Sequence, residues 1–182
     1  MAKGEEILTV GHSNHEEQDF LVLLRSAGVE AIADVRRYPH SRRQPHFEGS
    51  ALAANLKEAG IGYEWLGKSL GGRRAPHPDS ANDAWESDQF RGYADHTASP
   101  EFAAGLSELE RLARELRTAV MCAEAWWIHC HRRLIADALG ARGWRVLHLG
   151  GDGRLEVHEL TEFAAVEGGR VTYPAAQTSL DL

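Results

Sequence analysis

Val120-Met121-Cys122-Ala123-Glu124-Ala125-Trp126-Trp127-Ile128-His129-Cys130-His131-Arg132-Arg133 is the stretch that decides how this chain is read. The apolar run Ala119-Val120-Met121 stops at Cys122 and Glu124. After an aromatic bridge come Cys130, His131 and two arginines. Leu134, Ile135, Ala138 and Leu139 then recur at helical spacing. The pattern predicts a buried strand, a short loop and a helix from about Cys130 to Arg142, with Gly143 beyond its end. Both cysteines of the protein fall here, beside a carboxylate and two imidazoles. Cys130 is expected where the helix begins, and unpaired N–H groups there favour a thiolate. The same helix end attracts anions, and Arg132 and Arg133 add positive charge. Taken singly, each residue has a structural explanation: a strand-end cysteine is often a small core hydrophobe, and paired tryptophans often only pack. The convergence of Cys, Glu, His and Arg on one junction is what points to chemistry.

Towards the N-terminus, Ile7-Leu8-Thr9-Val10 reads as a short buried strand ending at Gly11-His12-Ser13-Asn14. Asn14 and Glu17 have the spacing of a capping box. Phe20, Leu23, Leu24 and Ala27 form a helical stripe closed by Gly28. Val29 to Val35 is a second strand with Asp34 near its end. A polar loop, Arg36 to Phe47, leads to a helix over Ser50 to Ala59. Ile61 to Leu66 is a third, weaker strand running into Leu70-Gly71-Gly72-Arg73-Arg74. Residues 73–92 carry little periodicity and many turn formers. They read either as a lid or as a surface insertion pinned by Trp85, Phe90 and Tyr93. Ser99-Pro100-Glu101 starts a helix. Trp144 to Leu149 is another strand, Phe163 to Pro174 a hairpin turning at Gly168-Gly169, and residues 175–182 a frayed tail.

Strands alternating with helices predict an α/β fold: a three-layer sandwich with a mostly parallel sheet and a small C-terminal hairpin. The 182 residues are expected to form a single domain with its core over about 7–174. In such sheets ligands bind beyond the carboxyl ends of the strands. His12, Ser13 and Asn14 follow the first strand, Asp34, Arg36 and Arg37 the second, Gly71, Gly72 and Arg73 the third, and Cys122 and Glu124 the fourth. A parallel sheet places all of them on one edge.

A net charge of -7 argues against a nucleic-acid-coating protein. Basic charge is nonetheless clustered, at Arg36, Arg37, Arg42 and Arg43, at Arg73 and Arg74, and at Arg132 and Arg133. An acidic body with a basic pocket suits a small anionic ligand. Two cysteines make no disulfide scaffold. No apolar leader opens the chain and no run is long enough to span a bilayer. The expectation is a cytoplasmic protein with no membrane association and with free thiols or metal-ligating cysteines.

Thr9-Val10-Gly11-His12-Ser13-Asn14, Asp34-Val35-Arg36 with Pro39 and Ser41, Leu70-Gly71-Gly72-Arg73, Arg91-Gly92-Tyr93-Ala94 and, above all, Cys122-Ala123-Glu124 with Cys130-His131-Arg132 carry a resemblance. Over roughly residues 7 to 174 the chain resembles the domain of unknown function 488 family, the group that includes the YeaO-like proteins. The resemblance implies a single α/β domain with a shared site at these motifs. It implies no particular reaction.

Three functions stay open on the sequence. The first is an enzyme for a small phosphate-bearing or nucleotide substrate. Its anion contacts would be Arg36, Arg73 and Arg132, its nucleophile Cys122 or Cys130, and its proton carrier Glu124 or His12. Ser13, Asn14, Asp34 and His131 would complete the substrate-binding set. The spacing is not that of a phosphatase loop, since Ala136 stands where the arginine belongs. Neither a P-loop lysine motif nor a dinucleotide fingerprint is present. The second is a zinc or iron enzyme with Cys122, Cys130, His131 and His12 as ligands. The third is a non-enzymatic module binding nucleic acid or protein through the arginine loop and exposed aromatics. Redox use of the two thiols is a further option, without a Cys-x-x-Cys arrangement. Cofactor and oligomeric state stay undetermined at this stage.

Overall fold

The computed structural model describes residues 5–176. Strands β1 (Glu6–Gly11), β2 (Ala31–Asp34), β3 (Gly62–Trp65), β4 (Thr118–Cys122) and β5 (Arg145–Leu149) are parallel, and β6 (Leu155–Val157) pairs antiparallel with β5. They form a six-stranded sheet in the order β3-β2-β4-β1-β5-β6. A separate hairpin, β7 (Ala165–Glu167) and β8 (Arg170–Thr172), turns at Gly168 and Gly169, both at positive φ. The α/β fold with a mostly parallel sheet and a C-terminal hairpin is therefore as expected. β6 was not foreseen.

Two apolar layers sandwich the sheet. On one face, α1 (Glu17–Ser26) and α2 (Gly49–Glu58) bury Phe20, Leu24, Leu52 and Leu56 against Leu8, Val10, Ile32, Ala119 and Met121. On the other, α5 (Pro100–Glu115) and α6 (Arg132–Ala141) bury Phe102, Leu106, Leu109, Leu134 and Ile135 against Ile7, Ala33, Val120 and Cys122. Side chains alternate along a strand, so Met121 faces α1 and α2 while Cys122 faces α6. That parity brings Cys122 to Cys130. The chain steps from β1 to β2 to β3 with helices on one face. It returns to β4 and β5 with helices on the other, as right-handed crossovers require. The strand order reverses beside β1 and β4, and the crevice beyond their carboxyl ends is where such sheets place ligands.

Several local expectations need correction. Asn14 and Glu17 form no capping box: α1 has Glu16 at its N-cap and no side-chain cap. The Ser99 cap of α5 does form, its hydroxyl accepting from Phe102 N at 3.1 Å. A short helix, α3 (Gly67–Leu70), follows β3, and α4 (Asp88–His96) begins inside the segment expected to be irregular. That segment is pinned. Trp85 is buried against Phe90, Phe163 and Tyr173, with ring centroids 4.9, 4.7 and 5.3 Å away. Asp95 accepts hydrogen bonds from His77 N, Ser80 Oγ and Asn82 Nδ2. Of the predicted tail, Ala175 N donates to Asp83, and residues 177–182 lie outside the described residues. No described helix is long and apolar enough to cross a membrane.

β1 and β4 remain close past their ends, where His12 N and Ser13 N each donate at 2.9 Å to Cys122 O and Ala123 O. Gly11 makes this approach possible. A Cβ there would overlap the Glu124 carbonyl oxygen and lie 3.0 Å from Arg132 Nη2. Gly11→Ala is expected to destabilise the fold by about 1–3 kcal/mol, the usual cost of overpacking. It should also displace the Cys122–Glu124 loop. Urea unfolding together with thiol alkylation rates checks this, and a variant with wild-type values in both would refute the contact.

Candidate functional site

A cleft of about 700 Å³ opens at the carboxyl edge of the sheet. His12, Ser13 and Asn14 line it from the β1 end, Arg36 from the β2 end, Gly72 and Arg73 after α3, and Cys122, Glu124, Cys130 and His131 from the β4–α6 junction. Nine of the sequence-selected residues that line it thus come from separate segments and meet at one edge: His12, Ser13, Asn14, Arg36, Arg73, Cys122, Glu124, Cys130 and His131. Asp34 and Arg132 are not among the lining residues. Both lie beneath the cleft, fully buried.

Asp34 is the anchor of the β2 side. Its Oδ1 accepts from Arg36 N at 3.1 Å and Nε at 2.9 Å, and its Oδ2 from Arg36 Nη2 and Tyr63 Oη, both at 2.7 Å. Arg36 spends its remaining reach on Phe47 O (2.7 Å) and His12 Nε2 (3.3 Å). Most of its donors are occupied by the protein itself. Its role is to fasten the Arg36–Phe47 loop to the sheet.

His12 is fixed by the same network. Its Nδ1 donates to Ser13 O at 2.9 Å, leaving Nε2 to accept from Arg36. The ring stacks on Phe47 with centroids 4.2 Å apart. Burial, chiefly, with the nearby Arg36 charge lowers its pKa to about 4, despite the favourable bond to Ser13 O. A neutral imidazole whose acceptor nitrogen already holds a guanidinium is poorly placed to carry protons.

The thiols form the floor. Cys122 and Cys130 are both buried and unbridged, with their sulfurs 2.6 Å apart. Helix α6 starts two residues later than the cysteine, with His131 as N-cap, so Cys130 sits just outside the helix instead of at its first position. The helix still reaches it, because Arg132 N donates to Cys130 Sγ at 3.4 Å. His131 Nε2 donates to Val35 O at 3.0 Å, which leaves Nδ1 facing Cys130 Sγ at 3.6 Å. Burial opposes charge on Cys130, but the bond from Cys122 and the influence of His131 and Arg132 outweigh it and hold this thiol well below the usual range. Burial and the neighbouring Cys130 push Cys122 well above it.

Arg132 lies under the thiols, 1 % exposed. Nη2 donates to Glu124 O and Nη1 to Thr9 Oγ1 at 3.4 Å, while Nε has no partner among the described residues. The Glu124 carboxylate takes no part in this; Glu124 is exposed at the rim. Thr9 opens a buried chain that the sequence did not advertise. Thr9 Oγ1 donates to His148 Nδ1 (2.6 Å), His148 Nε2 to His158 Nδ1 (2.9 Å), and His158 Nε2 to Asp137 Oδ1 (2.9 Å). Donor directions follow from the acceptors at each end. Tyr173 Oη closes the chain on Asp137 Oδ2 at 2.7 Å.

The rim contains further residues, of which the sequence offered Arg37 at the sheet edge and Arg42 and Arg43 only as part of a basic cluster. Arg37, Tyr38, His40, Arg42, Arg43 and Gln89 also face the cleft. The arginine cluster was visible as composition, but only the structure shows that Arg42 and Arg43 reach the opening. Among the described residues no carboxylate lies within ion-pair distance of Arg42, Arg43 or Arg73. Arg73 sits at a φ of 60°, an uncommon conformation for a residue with a side chain. Also among the described residues, no three His, Cys, Asp or Glu side chains meet in a group suited to a metal ion. The proposed ligand set of Cys122, Cys130, His131 and His12 is not assembled, since His12 Nε2 is turned to Arg36.

Fold and cleft define an α/β protein with a candidate site at the switch point of a parallel sheet. The chain belongs to the DUF488 family: the family model described as "Domain of unknown function DUF488" matches residues 17–139. No curated protein and no solved structure matches it. The matched span contains β2, β4, both cysteines and Arg132, while β1 with His12, and His148, fall outside it.

Proposed function

We propose that the protein is an enzyme acting on a small phosphate-bearing or nucleotide anion. The observation that carries this reading is the set of guanidinium groups of Arg42, Arg43 and Arg73, free of carboxylate partners among the described residues, around a cleft floored by a thiolate-favouring cysteine. Guanidinium forks match phosphate oxygens. Ser13 and Asn14 supply a hydroxyl and an amide at the rim. Cys130 is the nucleophile, forming a bond from sulfur to an electrophilic centre beside the anionic group. The bond from that centre to the leaving group breaks, and His131 Nδ1, which faces Cys130 Sγ, relays a proton from solvent to the leaving group. Arg36, Asp34 and His12 hold the loop that carries the anion contacts.

A second reading has one observation in its favour. Tyr38 is 56 % exposed, and the guanidinium carbons of Arg37 and Arg73 each lie 5.8 Å from its ring centroid. A smaller basic cavity, lined by Arg37, Arg73, Arg74, His77 and His96, adjoins the first. An aromatic flanked by arginines suits a stacked base with phosphates on either side.

A thermal-shift screen of inorganic phosphate, nucleotides, sugar phosphates and short oligonucleotides tests both. A ligand at a hundredfold excess over its Kd is expected to stabilise by about 2.7 kcal/mol. A charge-assisted contact contributes ~1.5–3 kcal/mol, so Arg73→Ala and Arg42→Ala should each weaken binding by roughly one to two decades. Stabilisation by mononucleotides or sugar phosphates supports the enzyme. Stabilisation only by oligonucleotides, growing with length and lost with salt, supports the nucleic-acid reading. If no anion shifts the wild type, or both variants respond like it, the anion site is refuted.

A further inference from the structure

We propose that Cys130 and Cys122 are a two-electron redox couple that reduces hydroperoxides at the floor of the cleft. The inference stands on the buried charge of Arg132 and does not depend on anion binding at the rim.

A guanidinium does not lose its proton inside a protein, and an isolated buried cation is strongly unfavourable. Arg132 is 1 % exposed, and no carboxylate lies within ion-pair distance of it among the described residues. Asp137, the nearest acid along the buried chain, is reached only through Thr9, His148 and His158. The anion that balances Arg132 is the thiolate of Cys130. The backbone N–H of Arg132 donates to its sulfur, and the two nearby thiols favour the charged form of the guanidinium, which itself donates to Glu124 O and Thr9 Oγ1, against burial. Cys122, eight residues earlier, keeps its proton and touches the same sulfur. One thiol is thus ionised and the other is protonated, in contact, and both line an open cleft. An ordinary structural cysteine needs neither the buried cation nor the second sulfur.

The steps balance with a hydroperoxide as oxidant. The Cys130 thiolate attacks the peroxide oxygen, an S–O bond forms and the O–O bond breaks. The departing alkoxide or hydroxide takes a proton from solvent through His131. Cys122 sulfur then attacks the Cys130 sulfenic acid. The S–S bond forms, the S–O bond breaks, and hydroxide leaves as water with the Cys122 proton. Two electrons pass from the thiols to the peroxide, and an external thiol reductant restores the pair.

The test treats the reduced protein with hydrogen peroxide and with an alkyl hydroperoxide, following free thiols and intact mass. One equivalent is expected to consume both thiols of the wild type with loss of two hydrogens, reversibly on adding a dithiol. Cys122→Ser should stop at a sulfenic acid trapped by dimedone on residue 130, and Cys130→Ser should not react. Arg132→Met should react roughly thirtyfold more slowly at pH 7, because a thiol at its ordinary value of about 8.5 is only about 3 % ionised there. Should Arg132→Met fail to fold, the pH profile of wild-type alkylation gives the same information. Cys130 reactivity already flat around neutral pH supports the proposal, and a rise of about tenfold per pH unit there overturns it. Wild-type oxidation no faster than that of free cysteine, or equal reactivity of the two serine variants, also overturns it. Anion-induced thermal shifts measured on the Cys122→Ser, Cys130→Ser double variant separate this outcome from that of the anion site.

Discussion

Asp34→Ala is expected to destabilise the protein by about 3–5 kcal/mol, the usual cost of leaving a buried charge without its partner. Asp34 is wholly buried, and its carboxylate accepts four hydrogen bonds, all from Arg36 and Tyr63. Without the carboxylate, Arg36 keeps only Phe47 O and the His12 ring, and Tyr63 loses its acceptor. Against a typical stability of about 5–15 kcal/mol the loss would be large. The damage should extend to function, since Arg36 ties the loop bearing Arg42 and Arg43 to the end of β2. Urea unfolding of Asp34→Ala and Asp34→Asn measures it, with the asparagine variant between wild type and alanine. A loss below about 1 kcal/mol would place this pair with exposed ion pairs and remove its anchoring role.

The pattern of helices and strands was legible because periodicity is strong where layers are thick. Ile7 to Val10 and Ala119 to Met121 are continuous apolar runs because both faces of a parallel strand are covered. Their parallel pairing put the strand-end residues on one edge, which is why nine selected residues line the cleft. What escaped has little periodicity to offer. β6 is three exposed residues at a sheet edge. α4 has Gly92 in its middle and few apolar positions. It persists because Gly92 packs directly on the backbone of Arg74 and Ala75, and because Asp95 gathers three donors from the preceding loop. Sequence also ranks arginines by their number and place, while structure ranks them by their partners. Arg36 and Arg132, singled out as ligand contacts, spend most of their donors on the protein itself, whereas Arg42 and Arg43, noted only as part of a basic cluster, reach the opening. The His148–His158–Asp137 chain did leave a trace. Asp137 interrupts the apolar stripe of α6 and is fully buried, and a carboxylate there must have donors.

That chain makes the protein acid-sensitive over a definite window. His148 is held neutral, its pKa lowered to about 3 by burial first and by His158 and Arg132 next. Its ring is stacked on Trp127 at 4.0 Å, and its two nitrogens are engaged by Thr9 Oγ1 and His158 Nδ1. His12 is lowered to about 4. In the unfolded chain both titrate near 6.5. Above that value neither state binds the extra proton and stability is unaffected. As pH falls below it, the unfolded chain takes up protons that the native state refuses, and stability declines until the native values are reached. At pH 5 each histidine costs about 2 kcal/mol, from 1.36 kcal/mol per unit of displacement. The carboxylates with lowered values, Asp137, Asp95 and Glu110, add their own loss only as pH falls towards the ordinary carboxylate range near about 4, at the lower end of this window. Cys130, also lowered, contributes with the same sign, so the measurement belongs in a Cys130→Ser background. There, urea unfolding should show a fall of roughly 3–4 kcal/mol between pH 7.5 and pH 5 for the two histidines together. His148→Asn should be less stable at pH 7.5 but lose only about half as much on acidification. An unfolding midpoint that does not move between the two pH values would mean that His148 and His12 accept protons in the folded state. The buried chain from Arg132 to Asp137 would then carry charge on its imidazoles, and its donor directions would be reversed at Thr9.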